Sequence, residues 1–196
     1  MADQPDDLLQ RISELEQQLD ARSQQLSSIR EQLASLATVD EQTHLLNLNG
    51  LKEFVRIALH RLQRHDEPFT LVMVRIPEIN DIPKTDPNFA EVVTHTATLL
   101  SSGLRALDST ARIGDESFGA LLAGTGTEHV PMILARLRTL VTAANITSHI
   151  KEYDPKPLFS AIVVTDAGDI EPEQVITAAN EGLTDAQDGA PAISEL

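Results

Sequence analysis

The chain has 196 residues, 41% of them apolar and only 3% aromatic, which suits one globular domain plus an appendage, with a core of Leu, Ile, Val and Ala. It has no cysteine, which excludes disulfides and thiolate metal sites and fits a reducing cytoplasm. The formal net charge of −15 argues against general binding to nucleic acid or an anionic membrane, because phosphate contact needs a basic face.

The first stretch, "MADQPDDLLQ", is acidic and lacks the basic start and apolar run of a signal peptide. No apolar run approaches the roughly 18–20 residues needed to cross a bilayer. Leu8, Ile12, Leu15, Leu19, Arg22, Leu26, Ile29, Leu33 and Leu36 then alternate in steps of four and three. That is an a/d heptad seam with one charged position, Arg22, on an otherwise polar helix. A helix this polar needs a partner for its seam. A parallel coiled-coil dimer is the expectation; a helix folded back on its own domain is the alternative. Residues 1–37 are therefore set apart from a domain at 38–196.

From Thr38 the composition changes. The segment Asp40 to Leu46 has turn character, with Asp40 and Thr43 expected to cap and link. "LKEFVRIALHRLQRH" puts Leu51, Phe54, Val55, Ala58, Leu59 and Leu62 on one helical face. "FTLVMVRI", Phe69 to Ile76, is almost wholly apolar and reads as a central strand. "NFAEVVTHTATLLSSGLRAL" reads as a helix reaching Leu107, and "STARIGDESFGALLAG" as strand, tight turn, strand. "VPMILARLRTLVTAA" is a helix with Pro131 in its first turn. "LFSAIVVTD" is a strand, "PEQVITAANEGLTDAQ" a last helix, and "DGAPAISEL" an edge strand or a frayed tail. The order implies an α/β fold, a mixed sheet flanked by helices.

This order and four short motifs resemble the GGDEF domain, the nucleotidyl-cyclase-like fold of diguanylate cyclases, over about residues 38 to 190. "DEQTHLLNLNGL" is similar to the family's D-x-L-T-G-L-x-N-R-R, matching at Asp40, Thr43, Leu45 and Asn47, with Leu48 and Asn49 in place of the arginines. "ARIGDESFGALL" resembles the A-R-x-G-G-D-E-F hairpin, but Gly-Gly-Asp-Glu-Phe reads Gly114-Asp115-Glu116-Ser117-Phe118. "FSAIVV" and "AANEGLTDAQDGA" resemble the family's later strand and last helix.

The resemblance implies a bacterial enzyme that joins two GTP molecules into the second messenger cyclic di-GMP, using divalent metal held by carboxylates. Several of the implied positions are substituted. The D-x-D pattern at the end of the first central strand reads Arg75-Ile76-Pro77, and a guanidinium cannot coordinate metal. In frame, the hairpin's Asp-Glu pair falls on Glu116 and Ser117, and its second glycine on Asp115; a gapped alignment pairs Asp115 with Glu116 instead. The guanine-reading Asp falls on Ala90 and the phosphate-holding Lys on Gln187, while Ile79-Asn80-Asp81 keeps the family's I-N-D. The expectation is an inactive cyclase with no cofactor.

A second implied site remains. The family's product-binding R-x-x-D signature stands five residues before the hairpin glycine, as Arg105-Ala106-Leu107-Asp108. Arginine's fork suits phosphate or the O6 and N7 of guanine, and Asp suits the guanine N1–H and N2–H donors. An added arginine from the following helix falls on Arg136, with Arg138 as substitute; Arg112 is expected to be at best auxiliary. The bland reading makes these a surface ion pair and a solvated face.

His60, His65, His95 and His129 show no metal-ligand spacing. Gly124-Thr125-Gly126 lacks the Gly-Lys-Ser/Thr that a phosphate cradle needs. The expected function is a cyclic di-GMP receptor signalling through a homodimer to a protein partner. A ligand-independent scaffold is the alternative, and a residual cyclase or GTP-binding module stands behind both.

Overall fold

The computed structural model describes residues 11–12, 14–25, 27, 36–143 and 153–196. The chain divides into two compact units, Met1–Ala37 and Thr38–Leu196. In the first, the described residues up to Leu36 are helical, and the seam positions Ile12, Leu15, Leu19 and Leu36 are exposed. Leu8, Leu26, Ile29 and Leu33 lie outside the described residues. No helix among the described residues is long and apolar enough to cross a membrane.

The second unit opens with a turn and then α1 (Leu48–His65), which Asn47 starts by accepting from the Gly50 amide at 3.0 Å. β1 (Phe69–Arg75) leads into a 3₁₀ turn, Pro77–Asp81. There follow α2 (Pro87–Ser102), β2 (Ser109–Arg112), β3 (Ser117–Ala123), α3 (Val130–Ala143), β4 (Leu158–Val164), α4 (Pro172–Asp185) and β5 (Ala192–Glu195).

The five strands form one mixed sheet in the order β2-β3-β1-β4-β5. β1 is central, as its apolar run predicts, and pairs antiparallel with both β3 and β4. Its period-2 alternation divides the core. Leu71 and Met73 face α1 and α4 with Leu51, Val55, Val175 and Leu183. Val72 and Val74 face α2 and α3 with Val92, Leu134 and Leu137. Both faces of β1 are dry, which explains why its sequence shows no polar alternation.

Three expectations need correction. Phe54 does not join the buried face of α1 but remains 38% exposed. The helix expected to reach Leu107 ends at Ser102. Gly103 caps it, its amide donating to the Leu99 and Leu100 carbonyls, and packs so closely that a Cβ there would sit 2.7 Å from Leu137 Cδ2 and Leu140 Cδ1. The last helix stops at Asp185 rather than Gln187, which instead bridges to Ala190. The open question of the tail resolves as a strand: β5 pairs parallel with β4.

The lead-in segment closes the other side of the sheet. Leu46 accepts from the Arg112 amide at 2.7 Å and donates to the Thr110 carbonyl at 3.1 Å, extending the sheet beyond β2.

Candidate functional site

Two groups of predicted residues lie at opposite ends of the β2–β3 hairpin. The first gathers around its turn. Register places Arg75, the last residue of β1, directly opposite Ser117, the first of β3. The Ile76 amide donates to the Glu116 carbonyl at 2.9 Å, so the end of β1 and the turn are one rigid corner. On this corner Arg75 Nε stands 3.6 Å from Glu116 Oε1, and Asn80 from the 3₁₀ turn donates to Glu116 Oε2. Asp115 is 2.5 Å from Lys84 Nζ and 3.8 Å from Arg112. Each acid of the turn thus faces a cation of its own chain. Gly114 is exposed and Pro77 starts the 3₁₀ turn.

Arg112 is more than the auxiliary residue expected from sequence. Its side chain is only 10% exposed. It donates to Gln42 at 2.7 Å, to Asp40 at 3.4 Å and to the Gly114 carbonyl at 3.1 Å. Asp40 in turn accepts from the Thr43 amide at 2.8 Å and hydroxyl at 2.7 Å. Burial pushes the Asp40 pKa up, but the Thr43 hydrogen bonds and the Arg112 charge together outweigh it, and the net direction is down. The Asp40–Thr43 turn is therefore a clamp between the lead-in segment and the hairpin; the helix cap itself is Asn47.

Ala90 sits in the first turn of α2, four residues past the capping Asp86, exposed, with its carbonyl accepting from Gln42. Gln187 is exposed beyond the end of α4. Ala90 is linked to the turn only through Gln42 and Arg112, and Gln187 makes no hydrogen bond to it among the described residues. The Tyr153 hydroxyl is buried and makes no hydrogen bond among the described residues. Its burial, and then the Glu78 charge, raise its pKa.

The second group surrounds Arg105 and Asp108 in the loop between α2 and β2. Asp108 holds this loop closed: its carboxylate accepts from the Arg105 amide at 2.8 Å and the Ala123 amide at 3.3 Å. Each oxygen retains a lone pair. The Arg105 side chain is exposed and has no ion-pair partner among the described residues. Gly103 presses the start of this loop against Leu137 and Leu140, the turn of α3 that carries Arg136. Arg136 is exposed and unpaired among the described residues, whereas Arg138 is held by Asp188 at 2.6 Å and lies over the Phe159 ring, 5.4 Å from its centroid.

A cavity of about 370 Å³ opens on the other side of the loop, between Ala106 and Leu107 and the C-terminal half of α1. Arg61 lines it, a residue that sequence reasoning missed because nothing in the helical pattern links it to the loop. Lys84, also missed, finds Asp115 only through folding.

Residues 37–190 match the family described as "Diguanylate cyclase, GGDEF domain". A probable diguanylate cyclase of Escherichia coli K12, DgcT, is 24% identical over 159 residues; these cover 79% of this chain and 34% of that protein, so the chain spans about a third of that relative. Among solved structures, SiaD of Pseudomonas aeruginosa, a diguanylate cyclase in complex with its activator SiaC, is similar at TM-score 0.71 and 22% identity, covering 97% of this chain and 74% of that one. The GGDEF domain of FimX from the same organism gives 0.69 and 18%, covering 82% and 99%. The coiled coil and GGDEF domain of Caulobacter crescentus DgcB, in complex with c-di-GMP, gives 0.67 and 17%, covering 93% and 99%. At these identities the likeness is one of fold.

Proposed function

Because the chain belongs to the GGDEF domain family of diguanylate cyclases, we propose that it is a member that binds cyclic di-GMP without making it. The observation that carries this reading is a contrast in pairing. At the hairpin turn the cations Arg75, Lys84 and Arg112 are all engaged by acids of the same chain. At the loop before β2, Arg105, like Arg136 on the neighbouring helix turn, is exposed and unpaired among the described residues, beside a carboxylate fixed in place by two amides.

A divalent metal, which the family's reaction uses, does not fit the hairpin turn. Such an ion needs converging carboxylate oxygens. Here the strand-end position is a guanidinium that faces Glu116, and Asp115 is turned to Lys84. Ser117 supplies only a hydroxyl. Losing one electrostatic contact to a transition state commonly costs about 2.7–4 kcal/mol, and the turn lacks more than one.

Arg105 and Arg136 would take the ligand's phosphates or guanine edges, and Asp108 the guanine N–H donors. The exposed seam of Ile12, Leu15 and Leu19 supports a homodimer through residues 1–37, in which ligand on the 38–196 domain would be read by a protein partner. Calorimetric titration of the full chain with cyclic di-GMP tests the reading. Heat of binding is expected for the wild type and its loss for Arg105→Ala. No heat in the wild type, or unchanged binding in the variant, would refute it. Product formed from GTP and magnesium would refute the inactive half.

A further inference from the structure

The two sides of the sheet are finished differently. Leu46 covers the outer strand β2, whereas β5 ends the order β2-β3-β1-β4-β5 with no strand beyond it among the described residues. Two hydrogen bonds fix which backbone groups on this side are already used. The Leu196 amide donates to the Val163 carbonyl at 2.8 Å, and the Leu196 carbonyl accepts from the Thr165 amide at 3.1 Å. In a parallel ladder, a residue that bonds its neighbour through both groups recurs at every second position. Ser194 and Ala192, opposite Ile162 and Ser160, therefore face β4. The amides and carbonyls of Ile193 and Glu195 point the other way, and no hydrogen bond among the described residues takes them.

Charge distinguishes what this edge accepts. Residues 157–196 carry eight acids and no Lys, Arg or His. Two bases from elsewhere reach the segment through ion pairs among the described residues, and each is taken by an acid of it: Lys52 by Glu173 at 3.4 Å and Arg138 by Asp188 at 2.6 Å. Lys156 lies ahead of the β4–β5 ladder, which starts at Ser160. Glu195, on the edge itself, is exposed and accepts from the Thr165 hydroxyl at 3.1 Å. On α4, Gly182 lies so near the strand that a Cβ there would sit 3.9 Å from Ala192 Cβ. Asp185, exposed, is three residues on and shares that side of the helix. Neither Glu195 nor Asp185 has an ion-pair partner among the described residues.

We infer that the outer edge of β5 pairs with a basic extended segment of a protein partner, which adds a sixth strand to the sheet. Its backbone bonds the free groups of Ile193 and Glu195, and its Lys or Arg side chains meet Glu195 and Asp185. Strand addition draws affinity from the main chain and specificity from the alternating side chains. The inference needs only the sheet and goes beyond the ligand reading.

A second copy of this chain is the competing occupant. Pairing two β5 edges brings Glu195 and its acidic surroundings against their own likeness, which opposes it. With four residues the strand is also short, a feature that discourages edge pairing. Pairing here therefore needs an added attraction, and a basic segment supplies it.

The test uses the full chain without nucleotide and three fluorescent peptides of equal length. One alternates lysine with valine, and one alternates glutamate with valine. The third is the lysine peptide with all its backbone amides N-methylated, which keeps the charge and removes every main-chain donor. Anisotropy is expected to give a Kd on the order of 10–100 μM for the lysine peptide and no binding of the other two. Glu195→Pro deletes one outward amide while leaving the bonds to β4, the position in which an edge strand tolerates proline. It should weaken the lysine peptide at least about tenfold, and Glu195→Gln, which removes only the charge, should weaken it less. Equal binding of the methylated or the glutamate peptide, no binding of any, or equal affinities for Glu195→Pro and Glu195→Gln overturns the proposal. A sedimentation coefficient that falls in Glu195→Pro assigns the edge to a second copy and likewise overturns it. Glu195→Pro should leave the heat of cyclic di-GMP binding unchanged, so this proposal and the ligand reading fail separately.

Discussion

Arg75 and Glu116 face one another at 3.6 Å across the corner where β1 meets the hairpin turn. The pair is about a quarter exposed, so its own contribution to stability is small, on the order of 1 kcal/mol or less. Its chemical effect is larger, because it gives a carboxylate that could hold metal a permanent cation instead.

Replacing that cation tests the point. Arg75→Asp places a third carboxylate beside Asp115 and Glu116. Millimolar magnesium should then raise the melting temperature of the variant by about 4 °C, the effect of a ligand near ten times its Kd. The wild-type melting temperature should not move. A magnesium shift in the wild type would contradict the account of the turn.

Arg105 and Asp108 should separate in a stability measurement although both serve the proposed ligand. Arg105 contributes only an exposed side chain, so Arg105→Ala should leave urea unfolding within about 0.5 kcal/mol of wild type. Asp108→Ala strips the Arg105 and Ala123 amides of their acceptor and should cost about 1–2 kcal/mol. Equal stabilities for the two variants would show that Asp108 does not hold the loop.

The Asp40 clamp gives a pH dependence with a definite sign. A carboxyl whose pKa is lowered by folding stabilises the protein above its unfolded value, near about 3.9, and that stability is lost as pH falls through the lower folded value. Asp40→Asn should therefore be less stable than wild type at neutral pH, and the gap should close on acidification below about pH 4. Arg112→Ala should cost about 2 kcal/mol, with Arg112→Lys recovering only part, since one ammonium cannot serve Gln42, Asp40 and the Gly114 carbonyl together. Equilibrium unfolding across pH checks both.

Tyr153 works in the opposite pH range. Its raised pKa keeps the folded hydroxyl protonated where the unfolded one ionises, so stability declines as pH rises above about 10. Tyr153→Phe should remove that decline. It also deletes a buried hydroxyl without a hydrogen bond among the described residues, and should stabilise the protein by about 1 kcal/mol at neutral pH. Destabilisation on this substitution would mean the hydroxyl is satisfied.

What could be read in the sequence follows from how local each signal is. The run Leu71-Val72-Met73-Val74 announces a central strand because both faces of that strand are buried. The R-x-x-D spacing is short, so Arg105 and Asp108 could be named together. The end of α2 at Ser102 is not legible in the local sequence, where the Gly103 that caps it packs against Leu137 and Leu140 of another helix. The weight of Arg112 is not legible locally because its partners Gln42 and Asp40 lie 70 and 72 positions away. Lys84 and Arg61 acquire their neighbours only through tertiary packing.

The pairing of Leu46 with β2 also matters for anyone who would excise the domain. A fragment beginning at Leu48, where the first helix of the sheet-bearing unit starts, would leave the outer rim of Ser109–Arg112 bare. Bare strand rims recruit other chains and precipitate. Trimming should therefore stop short of Thr38, whose carbonyl accepts from the Asn47 amide at 3.0 Å and seats the whole strip.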